Sequence, residues 1–139
     1  MAKWKSVAAS SLSAILRTDH HLNLFGMKIS EEQIDELKTI IPSVSYANEG
    51  GYDYLLLENL LLPDGCQPSA ADVLLCPNPR DGYQSRLFFA SQVTGGPQRN
   101  WNGNIRALGR NWYAISWATQ PGLKLVEMLS IHLKALRYP

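Results

Sequence analysis

The side chains with which this 139-residue chain could do chemistry are two cysteines, three histidines and a set of arginines concentrated in its second half. Cys66 and Cys76 are the candidate nucleophiles. Their ten-residue spacing, with no close histidine pair, fits neither a zinc motif nor a disulfide framework, so reduced thiols are expected. Cys76 ends the apolar run "DVLLC", where a buried strand-end thiol is the plain expectation; as a nucleophile it would need Arg80 or Arg86 beside it to lower its pKa. Cys66, in the turn "PDGCQP", is expected to be the more exposed of the two, with no base evident nearby. His132 falls on an apolar helical stripe and reads as a packed histidine with one nitrogen satisfied. His20 and His21 lack further local metal ligands. "GGYDY" and "TGGP" lack the lysine and helix start of a phosphate loop, so no metal, nucleotide or other cofactor is expected.

The densest unusual stretch is "WNGNIRALGRNWYAISW", Trp101 to Trp117, which holds three of the four tryptophans and no cysteine, histidine or carboxylate. Arginine and tryptophan are the residue types that most often anchor interfaces. Asn102, Asn104, Arg106, Arg110 and Trp112 are therefore the candidate binding residues, with at least one of the three tryptophans expected at the surface. The alternative for each tryptophan is a minor core under a long loop.

The elements that must position these residues read as α+β. Ser30 with Gln33 three residues on forms a capping box, and Ile34, Leu37 and Ile41 share a face, so a helix is expected over 31–41, stopped by Pro42. "SVSYA", "NEGG" and "YDYLLLENLLL" read as a hairpin, "PDG" as a turn, and "ADVLLC" and "RLFFASQV" as two more strands. "IRAL" and "WYAISW" around "GRN" suggest a last small hairpin. A helix over 121–137 is expected to start at Pro121 and carry the stripe Leu125, Met128, Leu129, His132, Leu133 and Leu136. The architecture that follows is an antiparallel meander of three to four strands with an N-terminal and a C-terminal helix packed on it. Residues 1–29 form an arm, with a short helix over 4–16 at most and no secretory signal, and residues 30–139 form the domain.

Composition narrows the partners. The formal net charge is +1, yet residues 1–75 carry five basic and ten acidic groups and residues 76–139 carry eight basic and two acidic. This balance argues against a nucleic-acid partner, and no apolar run approaches the ~20 residues of a membrane-spanning helix. The basic half suits an acidic protein partner if it is not neutralised within the fold.

The element order and the text of the last third resemble the ubiquitin-conjugating (UBC) superfamily. Pro77, Pro79 and Gly82-Tyr83 stand where that family has a proline-rich turn; "NGNI" at 102–105 resembles its Asn-Gly-x-Ile approach to the active site; "SW" at 116–117 precedes Pro121 and the last helix. More narrowly, "LLLPDGCQPSAADVLLCPNPRDGYQSRLFF" and "GRNWYAISW" resemble family E of the prokaryotic UBC-like proteins. The resemblance implies a cytoplasmic bacterial pathway with a ubiquitin-like protein and an activating-enzyme homologue as partners in a hetero-oligomer, and an association with antiphage defence.

The chain departs from the family at the decisive position. After "NGNI", where a conjugating enzyme has its cysteine, stands Arg106. A thioester carrier needs a thiolate that attacks and later leaves, and a guanidinium does neither. The family's His-Pro-Asn element is missing from "GGPQRNWNGN". The expectation is a pseudoenzyme, a non-catalytic component that binds the modifier or its activating enzyme. Two alternatives stay open: a noncanonical conjugating enzyme carrying the modifier on Cys76 or Cys66, and an α+β interaction domain unrelated to ubiquitin chemistry.

Overall fold

The computed structural model describes Lys5, Ser6 and residues 30–137. In chain order the elements are β1 (Lys5–Ser6), α1 (Glu31–Ile40), β2 (Val44–Glu49), β3 (Tyr52–Leu61), β4 (Ala70–Cys76), β5 (Arg86–Phe89), β6 (Trp101–Ala107), β7 (Arg110–Ile115) and α2 (Leu125–Lys134). The strands form one antiparallel sheet in the order β1-β2-β3-β4-β5-β7-β6. The class is α+β, as expected, but the sheet has more strands than the three to four expected. Most of the N-terminal arm lies outside the described residues. Lys5 and Ser6 are strand paired with Tyr46 and Ser45, so they are not part of a helix over 4–16.

Helix α1 begins where Ser30 Oγ accepts the Gln33 N–H at 3.1 Å, satisfying one of the orphan donors of the first turn. The capping box is only half closed on itself. Gln33 Oε1 instead accepts the Leu125 N–H at 3.0 Å and so caps the start of α2. Ile41 ends α1 in an extended conformation, the one a residue before proline prefers. Ile34, Leu37 and Ile41 are buried.

The β2–β3 hairpin turns on Gly50 and Gly51, both at positive φ, as a two-residue turn between right-twisted strands requires. Strands β3, β4 and β5 bury side chains on both faces, which is why "YLLL", "VLLC" and "RLFF" do not alternate. Leu55, Leu57, Val73, Leu75, Leu87 and Phe89 meet the helices, together with Leu125 and Leu129. Tyr54, Leu56, Leu74, Cys76 and Phe88 form a second core on the opposite face.

That second core is closed by the β6–β7 hairpin, which joins the sheet beside β5 and brings its tip back to β2. Leu108 N–H donates to Glu49 Oε1 at 3.0 Å, and Ala107, Leu108 and Trp112 pack with Ala47, Tyr54 and Leu56. The last small hairpin expected is present as two strands of the main sheet, and it runs from Trp101, well before "IRAL".

Helix α2 starts later than Pro121. Gly122 has a φ of 81°, a left-handed conformation that cannot lie in a right-handed helix, so Pro121 and Gly122 form a turn and Lys124 becomes the N-cap. Lys124 N–H donates to Glu127 Oε1 at 2.8 Å. Leu125, Met128, Leu129 and His132 are buried, and Leu133 and Leu136 complete the stripe against the core. No helix among the described residues is long and apolar enough to cross a membrane.

Candidate binding surface and arginine cluster

The candidate binding residues divide between surface and interior. Asn102, Asn104, Arg106 and Arg110 are exposed, whereas Trp112 is 0% exposed and donates its Nε1–H to the Ala107 carbonyl at 3.0 Å. A residue so enclosed offers no contact area to a partner, so Trp112 takes the core alternative. Trp101 is half-buried, edge-on to Phe89 with centroids 5.7 Å apart, and half-buried Trp117 donates Nε1–H to the Ile131 carbonyl at 2.9 Å. None of the three tryptophans is therefore the exposed anchor expected; the aromatic segment is chiefly scaffolding.

The exposed residues sit on or beside the outermost strand. Arg106 donates to the Gly109 carbonyl at 3.0 Å and to Asn111 Oδ1 at 3.2 Å, which ties it to its own hairpin. Arg110 pairs with Asp72 at 3.2 Å, and its guanidinium lies 4.7 Å from the Trp112 ring centroid. Asn104 is exposed on β6, whose outer edge has no strand partner among the described residues. Asn102 turns inward: its Oδ1 accepts from Arg86 Nη2 at 2.8 Å, and its Nδ2 donates to the Tyr83 hydroxyl at 2.8 Å. Gly103 follows from the same contact. A Cβ there would lie 2.9 Å from both Arg86 Nη2 and the Ala114 Cβ. Gly103→Ala is expected to cost about 1–3 kcal/mol through overpacking, measured by denaturant unfolding; an unchanged midpoint would mean the arginine moves aside freely.

Both thiols are buried. Cys76 is 0% exposed, with Asn78 Oδ1 at 4.0 Å and Arg80 Nη1 at 3.9 Å from its sulfur. Burial pushes its thiol above the ordinary value, against the hydrogen bonds from Asn78 and Arg80. Arg80 is thus beside the thiol, yet desolvation outweighs it and the protonated form is favoured. Cys66 is 4% exposed, contrary to expectation. Its turn is held against Thr94 by paired backbone hydrogen bonds of Gln67, and Arg99 Nη2 reaches within 3.9 Å of the sulfur.

The most concentrated polar chemistry lies on the turn after β4, around residues the sequence brought forward only as helpers of a thiol. The Arg80 guanidinium stacks on Tyr52 at 3.9 Å, donates to the Tyr54 hydroxyl at 2.7 Å and lies 5.3 Å from the Phe88 ring. Arg86 stacks on Tyr83 at 4.1 Å and lies 5.8 Å from the same Phe88. Burial raises the Tyr54 phenol, partly offset by Arg80, whereas hydrogen bonds with Ser116 and Asn102 lower the Tyr83 phenol. Asp81 is the carboxylate shared by the two arginines. A second carboxylate, Asp53, is fully buried and occupied by Tyr46 at 2.6 Å and by Asn48 and Asn78 at 3.2 Å each. An arginine inside "SRLFF", a run otherwise destined for the core, was the signal that a buried charge needs partners.

His132 is packed as expected. Its Nε2 lies 2.9 Å from Ser85 Oγ, which is 2.6 Å from Thr119 Oγ1, and burial, then Arg86, lowers its pKa to about 4. Among the described residues no three His, Cys, Asp or Glu side chains converge to hold a metal ion. Comparison of the chain with protein-family models, with curated proteins and with solved structures returns no match.

Proposed function

We propose that this chain is a non-catalytic UBC-like component of a bacterial ubiquitin-like modification pathway, binding the ubiquitin-like modifier or its activating-enzyme homologue as part of a hetero-oligomer. The observation that carries the reading is the chemistry of the position after "NGNI". An exposed Arg106, bonded to its own hairpin, stands where a carrier needs a thiolate, and both cysteines are buried elsewhere. The consecutive antiparallel pairing of β2, β3, β4 and β5 between two helices supports the resemblance. The edge of β6, which has no strand partner among the described residues and carries Asn104 and Arg106 with Arg110 nearby, suits addition of an extended segment from a partner. A cytoplasmic location and an antiphage role follow from the same reading.

A second reading rests on a specific observation: β6 and β7 belong to the sheet itself, so the domain is also consistent with an α+β interaction module unrelated to ubiquitin chemistry. One experiment separates the cases. Incubated with modifier, activating enzyme and ATP, the chain is expected to form a stable complex without a thiol-sensitive adduct, and to do so equally after Cys66→Ala and Cys76→Ala. Arg106→Ala or Arg110→Ala is expected to weaken that complex by ~2 kcal/mol, about 30-fold, with little change in melting temperature. A mass increase of one modifier, lost in a cysteine variant, would instead make the chain a noncanonical carrier. Absence of binding to either protein would leave the unrelated module.

A further inference from the structure

We propose that Arg80 and Arg86 form a binding site for an oxyanion, a carboxylate or phosphate group carried by a ligand, and that Asp81 is its resident stand-in. The two arginine side chains are 10% and 3% exposed, yet the carboxylate they share is 54% exposed. Asp81 Oδ2 lies 3.5 Å from Arg80 Nε and 3.7 Å from Arg86 Nη1. Charge-assisted hydrogen bonds close to about 2.7–2.9 Å when they are well formed, so this ion pair is loose. Arg80 Nε is in addition buried with no hydrogen-bond partner. Orphaned buried donors are rare in folded proteins, and this one faces the Asp81 carboxylate.

The rest of the cluster fixes the donors. Tyr52 and Tyr83 stack on the two guanidinium planes and Phe88 lies near both, so the aromatic rings hold the arginines in place and keep the local dielectric low. Tyr54 and Asn102 fix one nitrogen of each guanidinium, leaving Arg80 Nε and Arg86 Nη1 to the shared anion. Asp53 is engaged instead by Tyr46, Asn48 and Asn78. Asp81 itself stands at the surface on a tight turn, closed by mutual backbone hydrogen bonds of Arg80 and Tyr83 at 2.9 and 2.8 Å. Rotation of its side chain into solvent uncovers one donor from each arginine, and an oxyanion with two acceptor oxygens bridges them, one oxygen to each guanidinium.

The test follows the Nε–H resonance of Arg80 during titration with sodium phosphate, and separately with sodium acetate, at constant ionic strength set by chloride. Asp81→Asn is the second protein. Asp81 has a φ of 55°, which asparagine adopts readily, so the turn is kept and only the resident charge is removed. The expected result is a saturable shift at Arg80 that is about tenfold tighter in Asp81→Asn, with no shift at Arg99 Nε, a second buried donor without a hydrogen-bond partner among the described residues. Tighter binding of acetate assigns a carboxylate ligand, and tighter binding of phosphate a phosphorylated one. No saturable shift in either protein, equal affinity in both, or an equal response at Arg99 would overturn the proposal.

Discussion

Trp112→Ala is expected to remove about 3–5 kcal/mol of folding stability. The indole is fully buried in the second core, which it shares with Tyr54, Leu56, Phe88, Ala107 and Leu108. Its removal leaves a cavity, deprives the Ala107 carbonyl of its donor and takes away the ring under Arg110. The hairpin tip, which reaches Glu49 through Leu108 N–H, packs in the same core as Trp112, so local loosening there adds to the loss. Denaturant unfolding read by fluorescence and circular dichroism measures the effect, with Arg106→Ala as a surface control expected to stay within about 0.5 kcal/mol. A loss below ~1 kcal/mol for Trp112→Ala would mean that the second core is not a cooperative part of the domain.

Acidification is expected to destabilise the fold through His132. Its pKa lies near 4 in the folded protein against an ordinary value of 6.5, first because it is buried and then because Arg86 repels a second positive charge. A base whose folded pKa is depressed binds fewer protons folded than unfolded. Its contribution is therefore complete above pH 6.5 and is lost as the pH falls toward 4. The full span amounts to about 3 kcal/mol, an upper figure because local opening can relieve the desolvation. His132→Gln retains an amide to meet Ser85 but cannot titrate in this window. The difference in unfolding free energy between the two proteins should shrink steadily between pH 6.5 and 4; a constant difference would show that the histidine is hydrated or already charged.

The parts of the fold legible in the sequence are those fixed by neighbours in the chain. Ser30, Pro42, the Gly50-Gly51 pair and the helical stripe from Leu125 to Leu136 each act within a few residues, and each is where its residue type predicts. The rest depended on distant contacts. The strand character of Trp101–Ala107 is hidden by a register shift between Trp101 and Gly103, and by a glycine whose reason is an arginine on another strand. Cys66 reads as a turn residue, and becomes buried because Thr94 and Arg99 close over it. Trp112 has the composition of an interface anchor, but tryptophan serves cores and interfaces through the same large rigid surface, so type alone does not choose between them. The arginine cluster draws on Tyr52 and Tyr54, more than twenty positions away from Arg80 in the chain.

The hydrogen bond from Leu125 N–H to Gln33 Oε1 joins residues 92 positions apart and makes the beginning of one helix the cap of the other. During synthesis this has a consequence in time. Helix α1 emerges from the ribosome with Ile34 and Leu37 facing a core whose other wall, Leu125, Met128 and Leu129, does not yet exist. At about 5–20 residues per second the wait lasts several seconds, with apolar surface uncovered throughout. The β2–β3 hairpin and the strands beside it can pair in that interval, but the helix layer closes only when α2 arrives. Closure of the helix layer therefore depends on α2: an α2 that is late or deprived of its glutamine cap leaves the paired sheet exposed on the side where the two helices should meet.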